Sequence, residues 1–256
     1  ERMAPRDGAV PSAEVARRDL RDGAFIVSPD LDREVEVEAL APDGAAAAVR
    51  MVMFRPRGVV VGAPVVVYVH GGGWVAGDKK GVGALEKFLA AGISVVSINY
   101  RYNTQAQQAG VKPPVQWPLS DAARALQFVR NKAAEWNLDK DRIGATGGSA
   151  GACSSLWLAF HNDLADAKST DPIARESTRL WCAAVNGAQT TLDPQQMKEW
   201  TPNSRYGGHA FGFADDKEKK LSQFDEFLAK RDTILPWIAE YSPYALVTSD
   251  DPPVYL

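Results

Sequence analysis

Two nearly unbroken runs of β-branched and apolar residues, 65–69 and 93–98, constrain the fold more than any other feature. Strands of this kind are buried on both faces of a parallel sheet. Between them residues 79–91 carry helical spacing through Val82, Leu85, Phe88 and Leu89 and stop at Gly92, which completes a βαβ unit. A second unit follows. Residues 119–136 align Leu119, Ala122, Ala123, Leu126, Val129, Ala133 and Trp136 on one stripe, residues 142–146 form a short strand running into glycines, 149–162 an apolar helix, and 180–185 another strand.

Ahead of these units, residues 33–39 alternate Val35, Val37 and Ala39 against Glu34, Glu36 and Glu38, and 47–54 repeat the alternation after a turn at 42–44, giving an antiparallel start. Residues 1–32, with scattered prolines and glycines and a short helix near 12–20, read as a surface arm. The expected fold is α/β: a doubly wound, mostly parallel sheet with helices on both faces over 33–256. After the sixth strand the alternation lapses, and residues 189–240 read as a helical, lid-like insertion. Residues 252–256 begin the next strand.

Composition bounds the function classes. With 256 residues, 45% of them hydrophobic, the chain can bury a core without disulfide or metal staples. Twenty-nine basic against 32 acidic residues provide no field suited to phosphate backbones, so no nucleic-acid partner is expected. No run of 18 apolar residues suggests a membrane span. Three histidines and two cysteines leave little for a metal site, and no metal or organic cofactor is expected. The start at Glu1, without a basic-then-apolar leader, fits a processed chain, and the reading leans towards export; oligomeric state is left open.

Two motifs carry chemistry. Gly147-Gly148-Ser149-Ala150-Gly151 is a G-x-S-x-G between a strand and a helix, the setting of a nucleophile elbow that lifts a serine hydroxyl out of a sheet. A glycine turn for a dinucleotide pyrophosphate competes, but such a turn follows the first strand of its unit and is joined by an acid about 20 residues on, which is absent here. His70-Gly71-Gly72-Gly73-Trp74 directly follows the strand at 65–69, and its glycines let backbone N–H groups converge on a developing oxyanion. Both motifs lie at carboxyl ends of strands.

The sequence resembles the α/β-hydrolases, in the hormone-sensitive-lipase-like and bacterial ferulic-acid-esterase-like branch. The resemblance rests on His70 to Trp74, Gly77-Asp78-Lys79, Asn99-Tyr100-Arg101-Tyr102, Asp121, Asp141-Arg142-Ile143 and Gly147 to Ala152. It implies a serine carboxylesterase with Ser149 as nucleophile and the N–H groups of Gly72, Gly73 and Ala150 as oxyanion hole. Trp74 would line the substrate pocket, His209 would join it from the insertion, and His70, Asp78 and Asp121 would be structural. The implied partner is a small-molecule ester, small-acyl or carbohydrate-linked, such as acetylated or feruloylated sugars.

Acyl transfer by serine also needs a base and an acid to orient it. In this fold they follow the serine in the order Asp or Glu, then His. His161 sits on the helix leading away from the elbow, and Asp250 and Asp251 precede the strand at 252–256, so the expected acid and histidine fall beyond Leu256. The chain as written is therefore expected to be nearly inactive, with acceleration over water of roughly 10³ to 10⁴-fold. The alternatives are a catalytically inactive hydrolase-fold module that binds a ligand or partner, and His209 acting as a substitute base.

Overall fold

The computed structural model describes residues 26–27, 34–40, 48–56, 62–215, 217, 218, 220 and 222–256. The expected helix near 12–20, the turn at 42–44 and most of the arm lie outside these residues. The strands are β1 (Ile26–Val27), β2 (Glu34–Leu40), β3 (Ala48–Phe54), β4 (Ala63–Val69), β5 (Ser94–Ile98), β6 (Leu138–Gly148), β7 (Cys182–Asn186) and β8 (Val254–Tyr255). Among the described residues they form one sheet in the order β1-β2-β3-β5-β4-β6-β7-β8. The β1/β2, β2/β3 and β3/β5 pairs are antiparallel; every pair from β5 through β8 is parallel.

The chain leaves β4 through α1 (Leu85–Ala90) to reach β5 on one side, whereas it leaves β6 through α4 (Ala150–Phe160) to reach β7 on the other. The neighbouring carboxyl ends of β4 and β6 therefore form the topological switch point, where open α/β sheets leave a crevice. Both sequence motifs start there: the glycine loop after Val69 and the elbow after Gly148. The return from β5 to β6 runs through α2 (Asn103–Gln108) and α3 (Gln116–Asn131). Right-handed crossovers in opposite directions put α1 and α3 on opposite faces of the sheet. Helices α3 and α4 pack on each other and on the sheet.

Two expectations are corrected here. β5 is buried along its whole length, but β4 alternates, with Val65, Val67 and Val69 buried and Val66 and Tyr68 half-buried. The expected helix over 79–91 forms only from Leu85 to Ala90. Gly81 and Gly83 explain the late start, since glycine costs about 1 kcal/mol in a helix interior, and the shortened helix covers less of the sheet. Helix α4 is mostly apolar and buried through Ala159, as a helix between a sheet and other helices must be.

Between β7 and β8 lie α5 (Pro194–Trp200), α6 (Gln223–Ala229), α7 (Leu235–Tyr241), α8 (Pro243–Leu246) and two short 3₁₀ turns, Gly208–Phe211 and Arg231–Ile234. Asp193 caps α5 by accepting from the Gln195 N–H, with Pro194 opening the helix. The same carboxylate receives two hydrogen bonds from Arg231, at 2.7 and 2.6 Å, which ties the two halves of the segment together. Ser242 Oγ accepts from the Leu192 N–H and closes its base. Phe211, Phe224 and Phe227 are core residues of this segment, which joins the main hydrophobic core.

Candidate active site

Ser149 sits at the tip of the turn from β6 into α4 with φ 53 and ψ −121, a conformation that only a constrained turn imposes on a residue with a side chain. The glycines around it make the turn possible. A Cβ on Gly147 would lie 2.3 Å from the Val69 carbonyl oxygen, and one on Gly151 would lie 1.9 Å from it. The Ser149 N–H donates to the Asn186 carbonyl at 3.1 Å, anchoring the elbow to the end of β7. Its side chain is exposed and makes no helix-capping hydrogen bond. The Ala150 N–H lies in the first turn of α4, where helix N–H groups have no carbonyl partner and the helix dipole favours negative charge.

The glycine loop lies against this turn. A Cβ on Gly71 would be 2.9 Å from the Gly148 carbonyl oxygen and 3.6 Å from Ser149 Cβ. Gly72 and Gly73 take positive φ of 101 and 61, and the Val75 and Ala76 N–H groups both donate to the Gly72 carbonyl, folding the loop into a tight turn.

Residues of the other motif segments hold the loop. His70 Nδ1 is 2.7 Å from the Gly71 carbonyl oxygen, so this nitrogen carries the proton, and the ring stacks on Tyr100 with centroids 4.3 Å apart. The Tyr100 hydroxyl donates to the His70 carbonyl and the Tyr102 hydroxyl to the Gly77 carbonyl. Asp78 accepts from the Lys80 N–H and the Asn99 amide, whose own oxygen accepts from the Lys79 N–H. Beneath them Asp121 accepts from both the backbone N–H and the guanidinium of Arg101, which also lies over Trp117. Burial pushes the His70 imidazole below its ordinary value of 6.5, so the ring is neutral at pH 7.

Trp74 is 1% exposed. Its indole is closed off from solvent and donates to Ser154 Oγ at 3.0 Å, one turn further along α4 than Ala150. His209 does reach the loop: its Nε2 would be 3.5 Å from a Cβ on Gly73, and its ring centroid is 6.0 Å from that of Trp74. That nitrogen is buried and, among the described residues, has no hydrogen-bond partner of good geometry. Burial lowers the His209 pKa as well.

The remaining acid and base candidates lie elsewhere. His161 ends α4 and faces Glu240 at 3.1 Å, roughly 16 Å from Ser149 by the length of an 11-residue helix. Asp250 and Asp251 lie beside Arg179 just before β8, at the amino ends of the parallel strands. Cys153 is a buried free thiol, and Cys182 is a half-buried one. Among the described residues no group of three or more His, Cys, Asp or Glu could hold a metal ion, and no helix is long and apolar enough to cross a membrane.

Sequence reading missed Ser154, and it named Asn99 without giving it a role. For Ser154 a signal existed: a polar side chain on a helix buried all round needs a partner.

A family model described as BD-FAE matches residues 51–256, which takes in the whole crevice and both motifs. The chain belongs to the BD-FAE family. This BD-FAE chain is similar to the carboxylesterase NlhH of Mycobacterium tuberculosis, 33% identical over 157 residues covering 59% of this chain and 46% of that protein. It is also similar to the probable carboxylic ester hydrolase LipM of the same species, 36% identical over 106 residues covering 40% of this chain and 22% of that protein. The matched region thus spans less than half the length of either relative. An acetyl ester-xyloside bifunctional hydrolase from Caldicellulosiruptor lactoaceticus shares the fold, with a TM-score of 0.61 at 23% identity, covering 91% of this chain and 72% of that one. The BD-FAE chain is an α/β-hydrolase in fold.

Proposed function

We propose that the protein is a carboxylic-ester hydrolase working through an acyl-enzyme on Ser149. The observation that carries this reading is the approach of the glycine loop to the elbow, with Gly71 packed against Gly148 and Ser149. The substrate carbonyl then lies with its carbon at Ser149 Oγ and its oxygen towards the N–H groups of Gly72, Gly73 and Ala150. Attack forms a tetrahedral intermediate whose negative oxygen those donors stabilise, and each such donor contributes about 10²–10³-fold to the rate. Collapse expels the alcohol, and water then releases the acid from the acyl-serine. No metal or organic cofactor enters the proposal.

The serine proton needs an acceptor. His70 is turned into the loop, and His161 lies at the far end of α4. His209 lies beside Gly73, on the same side of the crevice, and is given a binding role rather than a basic one. The base and its orienting acid are assigned to none of the described residues.

The substrate class proposed is a neutral small-acyl or carbohydrate-linked ester. Similarity to proteins named as carboxylesterases and, in fold, to an acetyl ester-xyloside hydrolase supports it. The test is a panel of p-nitrophenyl acetate, butyrate and decanoate, acetylated xylan oligomers and methyl ferulate, offered to the protein expressed from its complete reading frame. Hydrolysis that favours short acyl chains and disappears in Ser149→Ala supports the proposal. Hydrolysis unchanged in Ser149→Ala overturns the acyl-enzyme on Ser149, and no hydrolysis in the parent protein favours a binding module instead.

A further inference from the structure

An oxyanion hole built from two separate chain segments works only if the segments are held in register. Here one set of donors comes from the loop after β4 and the other from the start of α4. Backbone packing of Gly71 on Gly148 and of Gly151 on Val69 brings the segments together. One side-chain hydrogen bond spans them further out: the Trp74 indole N–H donates to Ser154 Oγ at 3.0 Å, and Ser154 Oγ in turn donates to the Ala150 carbonyl at 2.8 Å. The chain of contacts runs from the residue after Gly73 to the very residue whose N–H completes the hole.

Trp74 needs such a restraint. Its φ is 58, a left-handed conformation that is uncommon for a bulky residue and persists only where the surroundings over-determine it. Three contacts do so: burial of the indole, the Asn103 N–H donating to the Trp74 carbonyl at 2.8 Å, and the bond to Ser154. Because Trp74 directly follows Gly73, its setting holds the Gly73–Trp74 peptide and so anchors the end of the segment that carries the Gly72 and Gly73 N–H groups. Ser154 is itself fully buried, so it cannot exchange its bond with Trp74 for water.

We propose that Ser154 is a positioning residue of the oxyanion hole, setting the glycine-loop donors against the Ala150 donor through its paired bonds to Trp74 and Ala150. The inference rests on the serine-esterase reading. Trp74 accordingly acts as a strut behind the hole rather than as a wall of the substrate pocket.

Ser155 offers an internal control. It too is fully buried in α4 and bonds back four residues, to the Gly151 carbonyl at 2.8 Å, but it makes no bond to the glycine loop. The experiment compares Ser154→Ala, Ser154→Thr, Ser155→Ala, Trp74→Phe and the Ser154→Ala/Trp74→Phe double variant in the complete protein. Each is measured for kcat and KM on p-nitrophenyl acetate and for thermal midpoint. Loss of register weakens donors that act only in the transition state, so Ser154→Ala is expected to lower kcat about tenfold with KM within twofold, a fraction of what deleting a donor costs. Ser154→Thr, whose hydroxyl can make the same backward bond, is expected to recover most of that loss. Ser155→Ala is expected to keep kcat within twofold whatever its thermal midpoint. In the double variant kcat is expected to equal that of the slower single one, because both changes cut the same bond.

A folded Ser154→Ala with unchanged kcat overturns the proposal, as does an equal kcat loss in Ser155→Ala. If Ser154→Ala fails to fold, Trp74→Phe decides: kcat falling with KM unchanged supports the strut, and unchanged kcat overturns it. Hydrolysis that survives Ser149→Ala overturns the Ser149 acyl-enzyme reading instead, so the two failures are distinct.

Discussion

Gly151 lies so close to Val69 that a Cβ on it would stand 1.9 Å from the Val69 carbonyl oxygen and 2.8 Å from that of His70. This contact seats the start of α4 directly on the end of β4 and brings the elbow beside the glycine loop. The obstructing atoms are backbone and cannot swing aside. Gly151→Ala is therefore expected to reach or exceed the upper end of the 1–3 kcal/mol range of overpacking. A thermal midpoint within 2 °C, about the shift that 1 kcal/mol gives in a chain of this size, contradicts the packing.

Gly72 has two reasons to be glycine: its φ of 101, and a Cβ position 2.1 Å from the Ala76 carbonyl oxygen. Gly72→Ala forces the loop open and moves a proposed oxyanion donor. Expected is a fall in kcat of about 10²-fold with KM little changed, as for removal of one donor. Steady-state kinetics on p-nitrophenyl acetate check it.

The Arg101–Asp121 pair is buried, and the carboxylate also accepts the Arg101 backbone N–H at 2.8 Å. Removing the carboxylate leaves a buried cation and an N–H without their acceptor. Asp121→Ala is expected to destabilise by about 3–5 kcal/mol, measured by urea unfolding, with the larger part of any activity loss following from unfolding of the 99–102 segment.

Stability should depend on pH through His70 and His209. Burial holds both below 6.5 in the fold, while the unfolded chain titrates near that value. Between the two values the unfolded state binds more protons, so stability rises with pH there; it is fully present above 6.5 and is lost as pH falls below it. Unfolding midpoints in urea measured from pH 5 to 7.5 should climb, and His70→Gln and His209→Gln should each flatten the climb. A flat profile in the parent protein contradicts the neutral, buried imidazoles.

The runs that form the parallel strands, the βαβ order and both glycine motifs were legible in the sequence because each is local: a run, an order or a spacing. What was not legible is set by three-dimensional neighbours. Val66 reads like Val65, yet it is only half-buried where Val65 is buried. Trp74 after three glycines reads as a pocket wall, and only the position of Ser154, 80 residues on, turns its indole inward. Asp78 and Asp121 stand out in the sequence, but their hydrogen-bond partners Asn99 and Arg101, about 20 residues away, do not follow from it.

The central claim is that Ser149 is the nucleophile, and active-site labelling tests it most directly. The protein expressed from its complete reading frame is incubated with a fluorophosphonate, and its intact mass and labelled peptide are determined. The account predicts one adduct per chain, on the peptide carrying Ser149, absent in Ser149→Ala and slowed in Gly72→Ala. No adduct, or an adduct on any other residue of a folded protein, contradicts it.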